Sequence, residues 1–210
     1  MRERMATVLV ALAFLLPMAV SCVPECAVRT GDILFLSLPS EDDTDTSPVY
    51  IHASILEVCD DGIWVVDATA RRGVDRHPLD TTVSDFTRRD GSLPRFEVMR
   101  LRDADDAAAA AYAANALAYL GEGYDTDFMP GNGKHYCTEL IYDSYADASG
   151  HVFAEGPMDF TDASGAYPSY WTRIFSRIGA EIPQGRIGTT PRAMRSDPAL
   201  VPVDVDLIWK

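Results

Sequence analysis

Apolar residues gather into short runs in the first half of the chain. Three runs, GDILFLSL at 31–38, VYIHASILEV at 49–58 and IWVVDAT at 63–69, are rich in residues that favour β-strands. The turn DDG at 60–62 joins the second and third runs and predicts a hairpin. At 95–101 apolar and charged residues roughly alternate, which predicts a further strand. Together these segments predict an antiparallel sheet.

The second half is typical of helices. Acidic residues precede the run AAAAAYAANALAYL, which predicts a helix that ends at Gly121. A second helix is expected to begin at or near Cys137 and to run to about Ala148. A third should follow Pro168 and end at Gly179, and the tail beyond it reads mostly as loop. We therefore expect an α+β fold, with helices packed on the sheet.

The first 22 residues have the layout of a secretory signal peptide. Two arginines precede the apolar run MATVLVALAFLLPMAV, and small residues follow directly before Cys22. This pattern predicts a bacterial lipoprotein cleavage site, with Cys22 as the site of lipid attachment. The alternative is a plain secreted protein with an incidental cysteine. Residues 23–210 are then expected to form one domain in the bacterial cell envelope, bound to the membrane through the lipid.

Composition excludes some classes of partner. The chain of 210 residues has a formal charge of −14, which repels phosphate backbones and makes nucleic acid an improbable partner. No cluster of His, Cys or Asp has metal-ligand spacing, and GEGYDTDFMPGNGK lacks the arrangement of a phosphate-binding loop. We expect neither a metal nor a cofactor.

Three cysteines remain if Cys22 carries lipid, and an odd number leaves at least one thiol unpaired. A disulfide between Cys26 and Cys59 would leave Cys137 free, since an exported compartment permits disulfides. The alternative for Cys59 is a small buried apolar residue at the end of a strand.

Cys137 is the candidate nucleophile. It falls where the second helix is expected to begin, and the free N–H groups of a helix N-terminus favour a thiolate. The alternative is a cysteine that is simply buried in the core.

A thiol nucleophile needs a base and a group that orients it. His52 is a polar residue in an otherwise apolar strand, and the predicted hairpin can place Asp67 beside it. Glu57 is the competing acid, but its odd spacing from His52 puts it on the other face of the sheet. A core histidine bonded to a carbonyl is the alternative for His52. The remaining histidines (His77, His135 and His151) are expected at the surface.

Four segments, in order, resemble the circularly permuted papain-like enzymes of the NlpC/P60 superfamily, the YiiX/YaeF (YebB)-like group. They are GDILFLSL, YIHASIL, WVVDATARRGVDRHPLD and YDTDFMPGNGKHYCTELIYDSY, and the resemblance runs from about Gly31 to Pro191. It implies a permuted papain-like fold in which an antiparallel sheet or barrel packs against helices. The chain departs in two places: HAS at 52–54 stands where the group often has His-Val-Gly, and Asp67 stands where it often has Glu.

The resemblance implies a cysteine hydrolase with Cys137 as nucleophile, His52 as base and acid, and Asp67 as orienting group. The backbone N–H of Cys137 is one expected oxyanion donor. The hydroxyl of Tyr50, two residues before His52 and so expected on the same strand face, is a second candidate; otherwise it is a packed aromatic ring.

Three functions stay open. The first is an envelope-anchored amidase or acyl hydrolase acting on a small-molecule amide, a lipid-amide or an N-acyl amino acid. The second is a murein endopeptidase that cleaves peptidoglycan-derived peptides, and the third is an inactive lipoprotein that binds lipid or peptide. Six aromatic residues are candidates for lining a groove that holds an apolar substrate: Tyr124, Phe128, Tyr167, Tyr170, Trp171 and Phe175. The alternative is that they belong to the ordinary hydrophobic core.

Overall fold

The structure, a computed structural model, describes residues 28–39 and 47–205. Its centre is a six-stranded sheet in the order β12-β5-β1-β2-β3-β4, with every neighbouring pair antiparallel. The strands are β1 (Ile33–Leu38), β2 (Val49–Cys59), β3 (Gly62–Thr69), β4 (Gly73–Pro78), β5 (Arg95–Leu101) and β12 (Leu200–Val203).

Five helices and three small two-stranded pairs complete the described residues. The helices are α1 (Leu79–Phe86), α2 (Asp106–Leu117), α3 (Cys137–Ser144), α4 (Ser169–Ile178) and α5 (Pro191–Arg195). The pairs join β6 (Gly123–Tyr124) to β7 (Lys134–His135), β8 (Ala146–Asp147) to β9 (Gly150–His151), and β10 (Gly156–Pro157) to β11 (Ile187–Gly188). The predicted α+β class is confirmed.

The two faces of the sheet bury separate cores because side chains alternate along each strand. Ile33 and Phe35 of β1 pack in the core that also holds residues of α2 and α3. Leu34 and Leu36 pack in the second core, with Leu79 of α1. The sheet is therefore covered on both faces, which is why β1 is apolar at every position except Ser37.

Gly31 and Asp32 fix the start of β1. Gly31 has φ +86°, and a Cβ there would lie 2.4 Å from the carbonyl oxygen of Ala109, so a larger residue would clash with α2. The buried carboxylate of Asp32 accepts two hydrogen bonds of 2.7 Å from the guanidinium of Arg100 and one of 2.7 Å from the backbone of Arg29. These contacts hold β1 against β5 and the helix above it.

A β-bulge interrupts β2 next to His52. Leu36 pairs with His52, but Ser37 pairs with Tyr50, so Ile51 is an extra residue without a partner across the ladder. An extra residue breaks the simple alternation of faces. The bulge decides where the side chains of Tyr50 and His52 point.

Some predicted elements differ from the observed ones. The second helix ends at Ser144 rather than near Ala148. The hydroxyl of Ser144 donates a hydrogen bond to the carbonyl of Leu140, one turn earlier. The tail is not mostly loop, because β12 completes one edge of the sheet against β5. The third helix, Ser169–Ile178, ends as predicted at Gly179, which adopts the left-handed conformation.

Candidate active site

Cys137 is the first residue of α3, and its side chain is buried. The carboxylate of Glu139 accepts a hydrogen bond of 3.3 Å from the backbone N–H of Tyr136, as in a capping box. The Tyr136 hydroxyl accepts a bond of 3.1 Å from the backbone of Thr189. These contacts fix the residue before Cys137, so the thiol is held at the helix N-terminus, where a negative charge is favoured.

His52 lies between a carboxylate and the thiol. Its Nε2 is 2.8 Å from Oδ2 of Asp67. Cys137 lies close enough to raise the pKa of the ring together with Asp67. The ring packs against Phe86 at a centroid distance of 4.8 Å. His52 and Asp67 are both almost completely buried, so each depends on the other to satisfy its polar atoms.

The surroundings of His52 favour its protonated form. Burial alone lowers the pKa of His52, but the hydrogen bonds and charges of Asp67 and Cys137 outweigh it and raise the pKa to about 10. At neutral pH the arrangement is an imidazolium between two groups that can carry negative charge. An imidazolium in this position can donate a proton during a reaction.

Glu57, the competing acid, lies elsewhere. Its carboxylate accepts a hydrogen bond of 2.6 Å from Arg76, whose guanidinium stacks on Trp64. Glu57 is therefore directed away from His52, as its spacing predicts.

The site opens into a cavity of about 230 Å³. One part of the lining comes from β2, the end of β3, the following turn and α1: Ile51, His52, Ala68, Thr69, Ala70, Arg71, Asp85 and Phe86. The rest comes from the segments around α3 and from α4, and it is largely aromatic: Tyr124, Phe128, Tyr136, Cys137, Thr138, Phe160, Tyr170, Trp171, Ile174, Phe175, Ile178, Thr189 and Pro191. Five of the six aromatic residues predicted for a groove line it, and the sixth, Tyr167, does not.

For two of the cavity tyrosines, the charge of Cys137 is the second-largest influence on the pKa. Burial, and after it the charge of Cys137, raises the pKa of both Tyr124 and Tyr170. Their hydroxyls therefore stay protonated and can donate hydrogen bonds.

The structure does not place Tyr50 beside the cavity. Its hydroxyl donates to Glu97 at 2.9 Å, and its ring packs on Phe35. Because of the bulge at Ile51, the expectation that Tyr50 shares a face with His52 is wrong. Bonded to Glu97 and outside the cavity lining, the Tyr50 hydroxyl is not placed to act as the oxyanion donor.

Two of the histidines expected at the surface are buried. His77 lies in β4, a strand that the polar sequence did not predict, and its Nε2 is 2.9 Å from the Thr82 hydroxyl. His135 is held between Glu122 at 2.9 Å and Asp143 at 3.1 Å. Only His151 is exposed as expected.

Cys59 carries a free thiol, half-buried and 3.3 Å from Nη2 of Arg76. Cys26, its proposed disulfide partner, and Cys22, the proposed site of lipid attachment, lie outside the described residues. Among the residues that the structure describes, no helix is long and apolar enough to cross a bilayer.

A family model decides the class. The model of the permuted papain-like amidase enzymes (YaeF/YiiX, C92 family) matches residues 27–203. The chain belongs to this family. As a permuted papain-like amidase it is a cysteine hydrolase rather than an inactive binding protein.

The fold of this permuted papain-like amidase is also found in a solved structure, described as that of the metalloprotein yiiX from Escherichia coli O157:H7. The two share 22% identity, the match covers 85% of this chain and 97% of the other, and the TM-score is 0.60. No curated protein matches the chain. Within residues 28–39 and 47–205, no three His, Cys, Asp or Glu side chains are arranged to hold a metal ion.

Proposed function

We propose that this chain hydrolyses amides of apolar acyl groups through a Cys137–His52–Asp67 triad and a thioester intermediate. The observation that carries the proposal is the contact of 2.8 Å between the buried His52 and Asp67, with His52 and Cys137 lining the same largely apolar cavity. A lipid-amide or an N-acyl amino acid would fit this lining.

The geometry supports a two-step reaction. The Cys137 sulfur attacks the amide carbon while the backbone N–H of Cys137, free at the helix N-terminus, stabilises the oxyanion. His52 then donates its proton to the leaving nitrogen, and the C–N bond breaks. Water, deprotonated by His52, hydrolyses the thioester and releases the acid.

The cavity supports an apolar acyl group rather than a polar peptide. An apolar cavity of about 150 Å³ is enough to hold benzene, and this one measures about 230 Å³, with mostly apolar walls that include eight aromatic side chains. The same chemistry on peptidoglycan-derived peptides is the second candidate. It is supported by the triad alone, since murein peptides are more polar than this lining.

We further propose that the enzyme acts in the bacterial cell envelope, anchored through a lipid on Cys22. The support is the sequence pattern of residues 1–22, and an anchor beside a membrane would suit a lipid-amide substrate.

The test of the activity compares two substrates and three variants. We expect purified protein to release p-nitroaniline from N-octanoyl p-nitroanilide and to leave muropeptides intact. Cys137→Ala should abolish the activity, and His52→Ala should lower kcat/KM by about 10²–10⁴-fold, as loss of a general acid–base does. Cys59→Ala, which removes the other described free thiol, is the matched control and should keep full activity.

Two results would contradict the proposal. Cleavage of muropeptides without cleavage of the anilide would favour the second candidate. Full activity of Cys137→Ala on the anilide would exclude the triad.

A further inference from the structure

Arg71 is a cation at the rim of the cavity that the proposed reaction does not use. It follows the end of β3 and lines the cavity together with His52. Among the described residues of the lining, only Arg71 carries a permanent positive charge. Its side chain is 76% exposed, so it can contact a bound substrate from the solvent side.

The ion pair with Asp85 leaves Arg71 able to bind a ligand. Nη1 of Arg71 donates to Asp85 at 2.9 Å, but the other oxygen of Asp85 lies 2.5 Å from Nη2 of Arg72. Arg72 is the less exposed of the two arginines and also binds Asp75 at 3.1 Å. Asp85 therefore keeps a partner if Arg71 turns to a ligand, and four of the five N–H donors of Arg71 remain for it.

The chemistry of the site places the leaving group near Arg71. His52 must donate its proton to the leaving nitrogen, so this nitrogen lies on the His52 side of the cavity. Arg71 belongs to the same part of the lining, whereas the aromatic residues that suit an acyl group belong mostly to the other part. A substituent on the leaving nitrogen would thus extend toward Arg71.

We propose that Arg71 binds a carboxylate on the leaving group, so that the substrate is an N-acyl amino acid with a free carboxylate. This inference rests on the proposed function. A guanidinium matches a carboxylate with two parallel hydrogen bonds, a geometry that lysine and neutral donors do not reproduce. In the reaction the C–N bond breaks, His52 gives its proton to nitrogen, and the amino acid departs with its carboxylate on Arg71.

The test uses two substrates that differ only in charge, N-octanoylglycine and N-octanoylglycinamide. We expect the wild-type protein to prefer the acid by about tenfold or more in kcat/KM, the size of a good charge-assisted hydrogen bond. Arg71→Gln should remove this preference by lowering kcat/KM for N-octanoylglycine while leaving kcat/KM for N-octanoylglycinamide unchanged. Arg71→Lys should keep only part of the preference. Arg89→Gln, the same change at an exposed arginine away from the cavity, is the control and should keep the preference.

A binding measurement separates this proposal from the proposed function. In the Cys137→Ala background, calorimetry should show tighter binding of the acid than of the amide, and Arg71→Gln should make the two equal. If the wild type cleaves neither compound, the proposed function fails, while this measurement still decides the role of Arg71. Equal affinity for acid and amide, binding of neither, or an unchanged preference in Arg71→Gln would overturn the Arg71 proposal.

Discussion

At the residue scale, the proposed chemistry depends on the protonation of His52. Two opposing effects act on its ring: burial disfavours the charged form, and the contacts with Asp67 and Cys137 favour it. The contacts outweigh burial because Asp67 lies within hydrogen-bond distance, Cys137 is a close neighbour, and little water screens these buried groups. With a neutral residue in place of Asp67, burial would lower the pKa of His52, because less negative charge would favour the protonated ring.

Asp67→Asn should therefore lower the alkaline pH at which activity is lost. The wild-type pKa of about 10 keeps His52 protonated, so kcat/KM should hold until the pH approaches that value and then fall. In Asp67→Asn the pKa of His52 drops, and the alkaline limb should move to lower pH by about one unit or more. The measurement is kcat/KM on the anilide from pH 5 to pH 11.

Asp75→Asn is the control for this experiment. Asp75 pairs with Asp67 across the β3–β4 ladder but binds Arg72 rather than His52. Its pH profile should match that of the wild type. Superimposable profiles for Asp67→Asn and the wild type would show that Asp67 does not control the protonation of His52.

At the scale of elements, the turn between β3 and β4 links the catalytic hairpin to the loop that follows α2. Gly73 has φ +70°, and a Cβ at this position would lie 2.2 Å from the carbonyl oxygen of Glu122. That carbonyl accepts a bond of 2.8 Å from the backbone of Val74. The glycine thus permits a close backbone contact just beyond Arg71.

Gly73→Ala should destabilise the protein by about 3 kcal/mol, because it adds a clash to the cost of a left-handed backbone. Gly62→Ala is the matched control: Gly62 also has positive φ, +133°, but a Cβ there would meet nothing within 4 Å. We expect it to cost about 1 kcal/mol, from the backbone alone. Urea denaturation of the two variants checks the difference, and equal losses would exclude the clash.

Elements that depend on residues close in sequence are predictable from the chain, whereas elements that depend on distant contacts are not. The hairpin that joins His52 to Asp67 follows from an apolar run, a turn and a returning run, all close in sequence. The start of α3 at Cys137 likewise follows from a local change in composition. The polar segment of β4 gave no such signal, since its burial depends on pairing with β3 and on α1, and His77 was misplaced for that reason.

The candidate site was predictable as far as it depends on those elements. Tyr50 was misplaced because the bulge at Ile51 depends on the register with β1, which β2 alone does not specify. Arg71 was missed because an arginine in a turn usually points to solvent, and only the cavity gives its position a meaning. Phe86 and Phe160 were missed because they join the lining from segments far from the motif residues.

At the scale of the whole molecule, charge and anchoring are connected. The formal charge is −14, so the body of the protein is repelled by anionic lipid surfaces. In the proposed envelope location, the lipid on Cys22 rather than the protein surface would therefore have to attach the protein to the membrane.

Cys22→Ala should consequently move the enzyme from the membrane fraction to the soluble fraction of a bacterial host. Without the lipid, a body of this charge has little affinity for the bilayer. The measurement is fractionation at physiological salt, followed by anilide activity in each fraction. Cys26→Ala is the control and should stay with the membrane, whereas retention of Cys22→Ala would exclude the anchor.

The order of the proposed catalytic groups along the chain has a consequence for biosynthesis. His52 and Asp67 lie 15 residues apart and meet in one hairpin, whereas the sulfur of Cys137 belongs to a helix much further along the chain. A nascent chain that has made only the hairpin holds a paired imidazole and no nucleophile. In the proposed mechanism, hydrolytic activity can therefore arise only after α3 has been synthesised and has docked against the hairpin.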